Sequence, residues 1–81
     1  MSIAQQVRDD FVNARKTVSV GTLAKKAGGV TTQSYMRDGG VHYCFPDGSH
    51  ITTAGIGRSH KTSVDGGPYQ RTSELKRQRD V

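Results

Sequence analysis

The side chains best suited to chemistry lie close together in "VHYCFPDGSHIT", residues 41–52. His42, Cys44 and His50 are residue types that ligate zinc or activate a nucleophile. A catalytic zinc takes three protein ligands, and this trio supplies three. Alternatively, Cys44 and His50 would act as nucleophile and base, if a third group oriented the imidazole. The surroundings complete neither arrangement. The chain contains no C-x₂-C or H-x₃-H pair of the kind that marks a tetrahedral zinc site. The carboxylate between Cys44 and His50, Asp47, is committed to a turn. The expectation is therefore no metal, no cofactor and no catalytic residue, with the three side chains on the polar face of a sheet.

A hairpin positions them. Pro46 presets the backbone for the first central position of a type I turn, Asp47 suits the second, and Gly48 supplies a left-handed bulge residue. This loop sets Phe45 opposite Ser49, and hence Cys44 opposite His50, Tyr43 opposite Ile51, His42 opposite Thr52 and Val41 opposite Thr53. Alternation then gathers Val41, Tyr43, Phe45, Ile51 and Thr53 on one face and His42, Cys44, His50 and Thr52 on the other. A slip of one residue would separate Ile51 from Tyr43 and Phe45, so turn chemistry and apolar pattern select the same register.

Anion binding is the second chemistry on offer. In "GIGRSHK" (55–61), glycines permit close backbone approach to a phosphate, while Arg58, His60 and Lys61 supply donors and charge. It is not a P-loop, because the Gly-Lys-Ser/Thr ending and the following helix are absent. "SELKRQRDV" (73–81) clusters Lys76, Arg77 and Arg79, and Lys25, Lys26 and Arg37 complete the candidate binding set. Twelve Lys and Arg against seven Asp and Glu give a net charge of +5, which favours polyanionic partners.

The elements that must carry these groups are short. Residues 2–16 are expected to form a helix: Ser2 and Gln5 make a capping box, and Ile3, Val7, Phe11 and Ala14 form one apolar stripe. Arg15 and Lys16 suit the negative pole at its end. "GTLAKKA" (21–27) would make a two-turn helix, ended by Gly28 or Gly29 in a left-handed cap. From there two readings diverge. In the first, "VTTQSYM" (30–36) is a strand, "RDGG" turns the chain, and the hairpin completes a three-stranded antiparallel meander carrying the N-terminal helix. In the second, "LAKKAGGVTTQSY" resembles the Leu-Ala-x-x-x-Gly-Val-Ser-x-x-Thr-Val pattern of helix-turn-helix motifs. That resemblance covers residues 17–54 and implies a winged helix-turn-helix, with "TVSV" (17–20) as its small first strand, Thr31 capping the recognition helix and residues 41–54 as the wing. Lys25 and Lys26 would then lie near phosphates.

Eighty-one residues form one domain at most, and apolar residues are only 32% of the chain, against roughly 45–50% on average with glycine counted. Either part of the chain is unfolded or a partner, a second copy included, completes the core. The expected organisation is an α+β domain over residues 1–56 and a flexible basic tail over 57–81, where large apolar residues are few. A single cysteine fits a reducing cytoplasm, "MSIAQQVRDD" has no signal-peptide h-region, and nothing is apolar enough to span a membrane. Two functions follow as expectations. The first is a non-enzymatic protein that binds nucleic acid or a nucleoprotein complex through basic residues. The second is a protein-binding inhibitor or adaptor, since in size, charge and single-module layout the chain resembles phage accessory proteins that block host machinery or defence systems.

Overall fold

A computed structural model of the chain describes residues 1–14, 17–32, 40–55 and 59–77. Its elements run α1 (Ile3–Asn13), α2 (Val20–Lys26), β1 (Val30–Thr32), β2 (Val41–Cys44), β3 (His50–Ala54), β4 (Lys61–Val64), β5 (Gln70–Arg71) and α3 (Thr72–Arg77). The fold is α+β. The five strands form one antiparallel sheet in the order β1-β2-β3-β4-β5, an open meander. Among the described residues no helix is long and apolar enough to cross a membrane.

The hairpin has the register its turn dictates. Val41 pairs with Thr53, His42 with Thr52, Tyr43 with Ile51 and Cys44 with His50. Phe45 N donates to Ser49 O and Gly48 N to Phe45 O, and Gly48 takes φ +87°. Tyr43, Phe45 and Ile51 are buried and Cys44 is exposed, while Val41, His42 and His50 are half-buried. Thr52 is buried although it shares the face of Cys44, and its hydroxyl is bonded to His42 Nδ1 at 2.9 Å.

The helices lie on the Tyr43–Ile51 side, where Val7, Phe11, Val20, Ala24, Phe45 and Leu75 complete the core. The capping box of α1 forms as its sequence requires, with Gln5 N on Ser2 Oγ and Ser2 N on Gln5 Oε1. The helix ends at Asn13, and Arg15 and Lys16 lie outside the described residues. Residues 17–19 form no strand; Ser19 instead caps α2 by accepting from Thr22 N. At the other end of α2, Gly28 N donates to Lys25 O and Gly29 N to Ala24 O, with Gly28 at φ +89°, a Schellman cap. Val30–Thr32 pair with β2 as a strand, and residues 33–36 fall outside the described set.

Two expectations are corrected. The sheet has five strands where three were expected, and it does not stop at residue 56. The stretch read as a flexible tail from residue 57 supplies β4, β5 and α3. The physical reason is that β3 offers a second row of backbone donors and acceptors, which Lys61–Val64 satisfy in register with Ile51–Ala54. Asp65 and Gly66 both take positive φ, 51° and 74°, and Gly67 N donates to Val64 O, a type I′ turn that returns the chain to β5. Leu75, only 2% exposed, then seals the core from α3.

Candidate nucleic-acid interface

Helix α1 is held at both ends by residues distant in sequence. At its N-terminus, Ile3 N donates to Asp47 Oδ2 at 2.8 Å, Ala4 N to Ser49 Oγ at 3.1 Å, and Ser2 Oγ to Asp65 Oδ2 at 2.8 Å. The first N–H groups of a helix lack partners within it, and the positive pole there favours carboxylates. Asp65 also accepts from His50 N at 3.0 Å, tying the β4–β5 turn to the same corner. Hydrogen bonds from the Ser49 hydroxyl, the Ile3 amide and the Ser49 amide hold the Asp47 carboxyl below its ordinary value of 3.8. A carboxyl whose pKa is lowered by folding adds stability that is fully present above its unfolded value and is lost as pH falls through the folded one. The melting temperature should therefore fall on acidification below about pH 4. Asp47→Asn should lower the neutral-pH melting temperature and flatten that acid limb; an unchanged limb in a pH series of melts would remove Asp47 from the account.

The other end of α1 is basic. Lys76 Nζ donates to Phe11 O and Ala14 O, both at 2.7 Å, and stands 4.9 Å from the Phe11 ring centroid. A cation from α3 thus sits at the negative pole of α1; Arg15 and Lys16, expected there, lie outside the described residues. Lys61 is directly opposite Arg71 across β4 and β5, and its Nζ lies 4.8 Å from the centroid of Tyr69. His60 Nδ1 bonds the Thr72 hydroxyl, which also meets Thr62 Oγ1 at 3.0 Å.

Register places Lys61 and Arg71 on the sheet face turned away from the helices, beside Ala54, because Lys61 pairs with Ala54. Asp47 and Asp65 sit at the opposite end of β3, about 13 Å along its five residues. Within 4 Å, the ion pair among the described residues is Arg8 with Asp9, at 3.3 Å. Lys61, Arg71, Lys25, Lys26 and Arg77 have no carboxylate that close among the described residues.

The six sequence-derived candidates among the described residues are divided between two regions. Lys61, Arg77 and His60 belong to the β4–β5–α3 end, and Lys76 is there too, but engaged with α1. Lys25 and Lys26 end α2 beside the hairpin turn, where a Cβ on Gly28 would lie 3.9 Å from Pro46. Arg37, Arg58 and Arg79 lie outside the described residues. Gly55 has φ +83°, and a Cβ there would come 2.6 Å from Ser59 O, so this glycine serves chain reversal. Arg71 and Tyr69, which sequence reading left out of the set, join it through β5; their signal was the Asp65-Gly66 turn.

On the same outer face, His42, Cys44 and His50 stand as the hairpin register requires. Among the described residues no three of His, Cys, Asp or Glu converge to hold a metal ion. A shallow cleft of about 170 Å³ on the helix side is walled by Thr62, Val64, Gln70, Leu75 and Arg8, without a nucleophile–base pair. Comparison with known proteins finds no matching family model, no similar curated protein and no similar solved structure.

Proposed function

We propose that this chain is a non-enzymatic binding protein that engages nucleic acid, alone or within a nucleoprotein complex, through phosphate contacts at its β4–β5 end. The observation that supports this is a pair of adjacent cations at the β4–β5 end, which Glu74 of α3 does not approach within 4 Å. Asp47 and Asp65 are consumed at the N-terminus of α1, whereas Lys61 and Arg71 stand side by side without a carboxylate among the described residues within 4 Å. Two adjacent cations repel one another, and a polyanion relieves that repulsion. A reducing cytoplasm suits the exposed free thiol of Cys44 and completes the reading.

Salt dependence tests it. Each phosphate contact contributes about 0.9 to the slope of log K against log salt on duplex DNA and about 0.7 on single strands. Lys61→Ala with Arg71→Ala should therefore flatten the slope by about 1.4–1.8 units and weaken binding to every sequence alike. Lys25→Ala with Lys26→Ala, at the far end of the fold, should change it less. No binding to DNA or RNA at micromolar protein and low salt would end this reading. The second reading, a phage-type inhibitor that docks on a host protein, draws on β1: it is an edge strand, and its Val30 is 65% exposed. Such docking would survive salt and fail in a Val30→Lys variant.

A further inference from the structure

We infer that the polyanion is a single strand, and that Tyr69 is the surface on which one of its bases stacks, with Lys61 and Arg71 holding the adjoining phosphates. This rests on the nucleic-acid reading above and adds to it a ligand class and a residue. Tyr69 is a large aromatic side chain left 42% exposed, outside the core that contains Tyr43, Phe45 and Phe11. It lies two residues before Arg71, so alternation puts both on the outer face, and the Lys61 ammonium at 4.8 Å from its ring places it there independently. An exposed ring with one ammonium against it and a second cation two residues along on the same face is the combination that single-strand binders use: π-face for base, charge for backbone.

The occupant follows from shape and charge. Duplex bases are stacked on one another and present edges in grooves, whereas a single strand offers whole base faces. Strand β5 is the last in the sheet and only two residues long, so among the described residues no further strand walls off the ring. Ser63 and Ala54 on this face are small and uncharged, and the Asp65 carboxylate in the β4–β5 turn is engaged by Ser2 Oγ and His50 N. A cation–π pair that merely stapled β4 to β5 would make Tyr69 important for stability alone.

Fluorescence anisotropy on the full chain separates these. The probes are mixed-sequence single-stranded DNA, the matching single-stranded RNA, and the DNA duplex of equal length, all at low salt. The expected result is tighter binding of single strands than of duplex. Comparing the two single strands shows whether the sugar matters. Tyr69→Ala should weaken single-strand binding about 5- to 140-fold, the range for losing one stacked base, without changing the salt slope. Tyr69→Phe should bind like the parent, since the ring is what stacks. Equal or tighter duplex binding, measured on the parent chain and so independent of any variant's folding, overturns the inference. So does a folded Tyr69→Ala with parental affinity. Either of these would leave the phosphate reading standing; absence of binding to all three probes would remove both.

Discussion

Leu75→Ala should cost about 2–5 kcal/mol of stability, the range for emptying a leucine site in a core that relaxes only partly. Leu75 is 2% exposed and reaches the core that Val7, Phe11 and Ile51 line, from a helix of six residues. Stability of about 0.05–0.15 kcal/mol per residue gives a chain of 81 residues about 4–12 kcal/mol in total. The substitution therefore removes a large share of it, and in a domain this small each kcal/mol moves the melting temperature by about 4–8 °C. A drop of at least about 8 °C is expected by circular dichroism. Deleting residues 67–81 should do more, because β5 and the Lys76 contacts leave together with Leu75. A deletion variant that melts cooperatively at the parental temperature would show that α3 adds nothing to the folded core.

That outcome marks the boundary of what was legible in the sequence. The hairpin was legible because two independent signals, the Pro46-Asp47-Gly48 turn and the alternation of Tyr43, Phe45 and Ile51, agree on one register. The cap at Ser2 was legible, and that of α2 was narrowed to Gly28 or Gly29, because capping is local chemistry. Beyond Ala54 the signals are tertiary. Strand β4 reads Lys-Thr-Ser-Val and β5 reads Gln-Arg, with one large apolar residue between them, so neither shows an alternation of its own. Backbone pairing to β3 and the burial of Thr62 and Ser63 hold β4, and no window of sequence contains the partner. The Asp65-Gly66 dipeptide was a local hairpin signal in plain view, but its flanks lacked the apolar residues that usually accompany it. The candidate site follows the same division. Lys61 was evident from charge. Its neighbours Arg71 and Tyr69 are adjacent only once β5 has formed, and Lys76 changed from a free cation to a helix cap for a reason 62 to 65 residues away.

Phe11→Ala should be the other severe lesion, at about 3–5 kcal/mol for a buried ring. Phe11 is 6% exposed and presents three features at once: its ring packs in the core, the ring lies 4.9 Å from the Lys76 ammonium, and its carbonyl accepts from that same nitrogen. Removing the ring leaves the carbonyl in place, so Lys76 keeps its bonds to Phe11 O and Ala14 O but loses the aromatic face beneath it. Lys76→Met makes the complementary change, retaining an aliphatic stem while discarding the charge, and should cost about 1.5–3 kcal/mol for hydrogen bonds to an ionised donor. The two lesions share the ring–ammonium contact, so the double variant should fall short of additivity by about 0.5–2 kcal/mol. Four denaturant titrations decide it. Strict additivity would mean that Lys76 holds α3 to α1 through the carbonyls alone. A parental midpoint for Phe11→Ala would mean that α1 does not pack on the sheet at all. Since α1 is clamped by Asp47, Ser49 and Asp65 at one end and by Lys76 at the other, losing its central ring should release β3, β4 and α3 together, in one cooperative transition.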